Sequence, residues 1–236
     1  QVSKNIDVDQ FRFLIGKTIG FHRPIALERL LELASDIDLR LEEEFPKLHF
    51  LPHWKGESIL HLAIFWGSVE CVPILMKFHR SLLDATDRSE RTPLHWATRE
   101  FYGDYPPTEI AIALLEHGAN IDAEDIYGST TLHLTATGLC NPDLASVLIR
   151  RGASLNARDK NGQTPLHVLA QNSGIEDPVS ENPEYSSKAV QLAKVLIESG
   201  ARVDIKDAAG RTALELVAVN ENTQLRDYLL GIDERI

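Results

Sequence analysis

Apolar residues along this chain come in short bursts at helical spacing, and the bursts come in pairs separated by polar turns. The first pair is residues 8–20 and 24–34; the second of these starts at Pro24 and places Leu27, Leu30, Leu31 and Ala34 at helical spacing. Further pairs are predicted at Ser58–Trp66 with Val69–Phe78, at Thr92–Glu100 with Thr108–His117, and at Thr212–Val219 with Gln224–Leu230. Asn141-Pro142-Asp143 opens another second helix. Gly118, Gly152 and Gly200 each follow a second helix, where a left-handed residue ends it cheaply.

The first helices share a start. Asn161-Gly162-Gln163-Thr164-Pro165-Leu166-His167 aligns with Glu90-Arg91-Thr92-Pro93-Leu94-His95, Gly128-Ser129-Thr130-Thr131-Leu132-His133, Gly56-Glu57-Ser58-Ile59-Leu60-His61 and Gly210-Arg211-Thr212-Ala213-Leu214-Glu215. A Thr or Ser N-cap accepts a free N–H of the first turn, and Pro at N1 gives up only an N–H that lacked a partner. The preceding Gly permits the positive φ of a tight tip, so Glu90 in that place predicts a strained or altered turn. The Ser/Thr marks stand 34, 38, 34 and 48 residues apart, which reads as a unit of about 33 residues with insertions.

That period, with Thr92-Pro93-Leu94-His95-Trp96-Ala97 matching T-P-L-H-x-A letter for letter, resembles the ankyrin-repeat family over residues 53–230. The resemblance implies an all-α solenoid of helix-turn-helix units with β-hairpin-like loops. Five repeats are expected, at about 53–86, 87–124, 125–158, 159–206 and 207–236. Residues 1–52 are read as a helical capping region, a degenerate repeat that closes the apolar end of the stack. The insertions fall near 102–107 and 172–187, and the stretch from Asn172 to Ser187, rich in Pro, Ser, Asn and acid, is expected to be an exposed mobile loop.

Composition narrows the function. The net charge of −11 is a poor background for gripping a phosphate backbone, so nucleic acid is not an expected partner. Cys71 and Cys140 lack CxxC spacing or a dense framework and read as reduced core thiols of an intracellular protein, cytoplasmic or nuclear. No stretch reaches the roughly 18 apolar residues of a membrane span. The chain is expected to be monomeric when isolated and, lacking an initiating Met, a trimmed chain or a piece of a longer protein.

His61, His95, His133 and His167 recur at one helix position, but axes of packed helices lie about 8–10 Å apart, too far for successive imidazoles to share an ion with ligands near 2 Å. The family implies that this histidine instead bonds neighbouring backbone and ties one repeat to the next. No G-x-S-x-G, P-loop, HExxH or GxGxxG occurs, so no catalytic residue, metal or cofactor is assigned. Nothing in the sequence demands an enzyme.

Partner contacts in the family come from the hairpin tips and the exposed end of each first helix. Carried over, these are Trp54 and Lys55, Arg88 and Arg91, Tyr127 and Lys160 on tips, and Phe65, Trp66 and Arg99 at helix ends, with Tyr102 and Tyr105 folding over from the first insertion. Aromatic and Arg side chains of this kind are enriched at interface hot spots. Phe65 and Trp66 could equally pack on the N-terminal helices, and Trp96 takes the place of a core Leu. Lys55, Arg88, Arg91, Lys160 and Arg211 make the tips basic against a single acid, Glu57, favouring an acidic partner, unless Asp87, Asp125, Asp159 and Asp207 neutralise them. The leading reading is a non-catalytic module gripping a peptide or protein in its concave groove. Two alternatives stand beside it: a small-molecule-binding or catalytic ankyrin protein whose insertions wall a pocket, and the regulatory ankyrin domain of a larger protein.

Overall fold

The computed structural model describes residues 8–34, 58–98, 107–137, 140–172, 183–218 and 223–233. They fall into two compact units, Gln1–Asn120 and Ile121–Ile236. Among the described residues the chain is all-α, with no strand.

The first unit holds α1 (Val8–Gly20), α2 (Pro24–Ala34), α3 (Ile59–Phe65), α4 (Cys71–Phe78), α5 (Pro93–Trp96) and α6 (Pro107–Glu116). First helices of successive pairs pack in one row, α1 on α3 and α3 on α5, and second helices in another, α2 on α4 and α4 on α6. The helical bursts of the sequence supply the faces for this: Ile15, Ile19, Leu27 and Leu31 point inward, and every residue of α3 from Ile59 to Ile64 is buried. The α1–α2 turn is tied to the α3–α4 turn by Ser68, whose hydroxyl donates to the Ile19 carbonyl (2.7 Å) and accepts from His22 Nδ1 (3.1 Å). A 3-10 helix at Arg80–Asp84, which the sequence pattern does not announce, buries Leu82 and Leu83 beneath the connection to the next tip.

The second unit repeats the plan with α7 (Thr131–Leu134), α8 (Pro142–Arg150), α9 (Pro165–Gln171), α10 (Pro183–Glu198), α11 (Ala213–Val217) and α12 (Thr223–Asp233). Its rows are α7, α9 and α11, and α8, α10 and α12. Asn141 caps α8 as its sequence predicts, its side chain accepting the Leu144 N–H at 3.0 Å. Thr131 stands where Pro93 and Pro165 start their helices, and its buried hydroxyl lacks a hydrogen-bond partner among the described residues.

One expectation changes. Residues 183–187 are the first turn of α10, not loop. Asn182-Pro183-Glu184 carries the same start signal as Asn141-Pro142-Asp143, which the polar composition around it masked. Asn172, at the other edge of that stretch, is anchored: it is the C-cap of α9 and its Nδ2 donates to the Ala136 carbonyl at 2.8 Å. On the first pair Phe13, Leu14, Ile25 and Leu33 stand exposed beside the exposed Arg23, Arg29 and Glu32.

Glu90 adopts a φ of +58°, against +75°, +70° and +80° for Gly128, Gly162 and Gly210 at the matching places. The turn keeps its hydrogen bonds, Glu90 N to Asp87 O and Asp87 N to Arg91 O, both 3.0 Å. The strain is therefore absorbed without altering the turn. A left-handed L-residue costs about 1–2 kcal/mol, part of which Gly recovers after its larger chain entropy. Glu90→Gly is expected to raise stability by about 1 kcal/mol, read as a higher urea midpoint; a lower midpoint would contradict the strain.

Candidate functional site

Four of the first helices, α3, α5, α7 and α9, begin with a buried Ser or Thr cap and a histidine three residues on. The cap N–H of Ser58, Thr92, Thr130 and Thr164 donates to Nδ1 of His61, His95, His133 and His167 at 3.1, 3.1, 3.1 and 3.3 Å. The cap hydroxyl lies 2.8–2.9 Å from the same nitrogen. An Nδ1 that accepts an N–H carries no proton, so the proton sits on Nε2. That Nε2–H reaches forward to the carbonyl of Arg91 from His61 (3.1 Å), of Gln163 from His133 (3.1 Å) and of Arg211 from His167 (3.2 Å). In these three both ring nitrogens are engaged, which leaves no lone pair for a metal. Burial pushes His61 down to about 4, and it also lowers His133, so the neutral form the geometry requires is the form burial favours. Glu215 substitutes with its carboxylate, accepting the Thr212 N–H at 2.7 Å.

The carbonyls that the histidines hold lie at the ends of the tips, and each of the four described tips is built on an aspartate. Oδ1 of Asp87 accepts from the N–H of Ser89 and Arg91 (2.8 and 2.9 Å), and Oδ1 of Asp125 from Tyr127 and Ser129 (2.8 and 3.0 Å). Asp159 does the same for Asn161 and Gln163, both 2.8 Å, and Asp207 for Ala209 and Arg211, both 2.9 Å. The Arg211 backbone N–H, helped by its guanidinium, holds the Asp207 carboxyl below the usual carboxylate range. In the second unit adjacent tips also touch: Lys160 N donates to Tyr127 O (2.9 Å) and Ala208 N to Asn161 O (2.8 Å). Gly128 and Gly162 permit that approach, because an added Cβ would fall 3.0 Å from Lys160 N and 2.9 Å from Ala208 N.

The proposed contact residues divide on this frame. Arg88 is exposed on its tip, and Tyr127 is 57% exposed between two fixed backbone bonds. Lys160 is exposed and its Nζ donates to the Ile126 carbonyl at 2.6 Å. Arg91 is half-buried, its N–H and carbonyl both committed to the frame. Phe65 and Trp66 are half-buried, edge to face at 5.4 Å, and a Cβ on Gly20 would lie 3.6 Å from the Trp66 indole, so Trp66 packs toward the end of α1. Trp54, Lys55, Arg99, Tyr102 and Tyr105 lie outside the described residues. Arg211 pairs with Asp207 at 3.0 Å, which removes one of the basic tip charges.

Trp96 was expected in the core and is only half-buried. Its indole N–H donates to Asp87 Oδ2 (2.9 Å) and its ring meets His61 edge-on at 5.1 Å, so it joins a tip to the histidine of the preceding pair. The signal was present: a polar-tipped indole stands where the other copies have Leu62, Leu134, Val168 and Leu216, and a buried Trp N–H seeks an acceptor. Burial pushes the Cys71 thiol up to about 12, which makes it a poor nucleophile. No described helix is long and apolar enough to cross a membrane.

Comparison with known families matches residues 22–125 and 103–180 to the description "Ankyrin repeats (3 copies)" and residues 161–208 to "Ankyrin repeat". An 86-residue stretch is 33% identical to ankyrin repeat domain-containing protein 53 of Homo sapiens, covering 35% of this chain and 15% of that protein. A 78-residue stretch is 33% identical to inversin of Canis lupus familiaris, covering 33% of this chain and 7% of that protein. The chain spans a small part of the length of the curated relatives it matches.

Proposed function

We propose, for a chain that belongs to the ankyrin-repeat family, whose repeats generally mediate protein–protein interaction, that it is a non-catalytic recognition module capturing a peptide or protein on its hairpin tips. The observation that carries this reading is the division of labour within each repeat. The Ser/Thr, Leu and His of the motif are buried and consumed in the frame, while the residues that differ between copies, such as Arg88, Tyr127 and Lys160, are exposed on tips held by aspartate. A contact residue on a fixed backbone loses little entropy when a partner arrives. Tyr127 supplies an aromatic anchor, and Arg88 and Lys160 favour a partner segment that carries carboxylates.

The test is quantitative capture from native lysate with three forms of the protein. Tyr127→Ala, and separately Arg88→Ala, are expected to lower recovery of the wild-type partner about tenfold each, the size of a modest hot spot. Arg150→Ala, on the exposed end of α8 away from the tips, should leave recovery unchanged. Equal recovery by all forms would place the interaction elsewhere.

A further inference from the structure

Gln163 ends a tip of the second unit with its side chain almost wholly sunk into the protein; the residue is 7% exposed. Its backbone is fixed three times over. The N–H donates to Asp159 Oδ1 at 2.8 Å, and the carbonyl accepts from the Asp159 N–H at 2.9 Å and from His133 Nε2 at 3.1 Å. The side-chain amide, by contrast, makes no hydrogen bond to any described residue. Nor is it sealed away: among the described residues the Thr131 hydroxyl is the one enclosed side-chain polar atom left unpaired, so both amide atoms of Gln163 keep an opening to solvent. Arg211, at the matching place on the next tip, instead spends its guanidinium on Asp207 at 3.0 and 3.2 Å. A nearly buried amide with no internal partner is a group waiting for an external one.

Its neighbours suit a chain laid across the tips. The tip before it presents Tyr127, 57% exposed, and is joined to the Gln163 tip by the Lys160 N–H on the Tyr127 carbonyl at 2.9 Å. Asn161, exposed on the same tip as Gln163, is a second amide whose side chain makes no hydrogen bond to any described residue. The tip after it, bonded through the Ala208 N–H to the Asn161 carbonyl at 2.8 Å, exposes Ala208 and Ala209, which carry no bulk beyond a methyl.

A primary amide offers N–H donors and a carbonyl acceptor side by side, the complement of a peptide group. A carboxylate would satisfy its donors and leave its carbonyl unpaired, and an ammonium or guanidinium would do the reverse. Backbone inside a helix or sheet has already spent its own N–H and C=O, so only an extended segment can supply both. Main-chain hydrogen bonds are the usual source of affinity for such segments.

We infer that Gln163 reads the main chain of the partner: the tips of the second unit take an extended protein segment, one peptide group of which pairs with the Gln163 amide while Tyr127 covers a nearby side chain of the segment. This rests on the tips being the capture surface, and adds the class of partner, an extended segment and not a folded face.

Short unstructured peptides selected from a display library on the whole chain supply the probe, and the tightest is synthesised and titrated. Gln163→Leu should keep the thermal midpoint of wild type, since the amide holds nothing within the protein, and should bind the peptide about tenfold more weakly. Gln163→Met, which also lacks the amide, repeats the test with an unbranched chain. Replacing the peptide N–H groups one at a time by ester oxygen should weaken binding to wild type about tenfold at one position, and should cost nothing further there with Gln163→Leu. Equal binding by wild type and both Gln163 variants overturns the inference, as does coupling of Gln163 to a peptide side chain and to no ester position; in either case loss of binding in Tyr127→Ala would still leave the tips as the capture surface. Selection of no peptide, with lysate capture that still depends on Tyr127, overturns it too and makes the partner a folded one. Selection of no peptide, with lysate capture indifferent to Tyr127 and Arg88, removes both this inference and the reading beneath it.

Discussion

His133→Ala is expected to destabilise the second unit by about 3–4 kcal/mol, more than any tip substitution. The imidazole is 1% exposed and bridges two backbone groups, the Thr130 N–H on one side and, 30 residues beyond the histidine, the Gln163 carbonyl on the other. Alanine leaves the Thr130 N–H without a partner and takes from the Gln163 carbonyl one of its two donors, the Asp159 N–H remaining at 2.9 Å; a buried orphan costs about 1–3 kcal/mol, with the ring's volume lost in addition. Thr130 and Gln163 are themselves 2% and 7% exposed, so water cannot easily replace the ring. The exposed box at Thr212 and Glu215 is the natural control. Glu215→Ala removes a similar cap bond with solvent at hand and is expected to cost about 1 kcal/mol or less. Urea titration of the two variants checks this; equal losses would mean that the histidine acts as a local cap and not as a tie between repeats.

That contrast shows why so much of the frame was legible in the residues alone. Thr-Pro-Leu-His is short, local and repeated, and its start chemistry depends on three or four neighbouring residues. The bounds of α1 and α2 followed in the same way, from apolar spacing and Pro24. What escaped reading depended on groups distant along the chain or on competing local signals. Asp87 was legible only as a charge among the tip bases; that its carboxylate also accepts the N–H groups of Ser89, Arg91 and Trp96 was not. The start of α10 at Pro183 was hidden because a loop-like composition surrounds a valid helix start. On α2 the spacing of Leu27 and Leu31 announces the buried face, but nothing in it announces that Ile25 and Leu33 stand exposed on either side of Arg29. Periodicity identifies a helix with one apolar face more readily than it separates a capped end from an open one.

The same buried imidazoles set an acid limit. In the unfolded chain a histidine titrates near 6.5; in the folded first unit burial pushes His61 down to about 4, against the opposing pull of the Arg91 carbonyl and of Asp87. Between these two values the unfolded chain binds a proton that the folded chain refuses, so stability must fall as pH drops through that window. Below about 4 both states are protonated and this contribution stops changing. The gap corresponds to about 3 kcal/mol, a large share of the stability of a small unit. His133 in the second unit is shifted in the same direction for the same reason, so both units should weaken in mild acid. Urea unfolding at a series of pH values from 7 to 4 is expected to show this loss. His61→Gln, though less stable at pH 7, should show a shallower decline by about the same amount. A variant whose stability falls as steeply as that of the wild type would assign the acid sensitivity to other groups, and His61 would then have to be charged or solvent-relaxed in a site where its Nδ1 accepts the Ser58 N–H and its Nε2 reaches the Arg91 carbonyl.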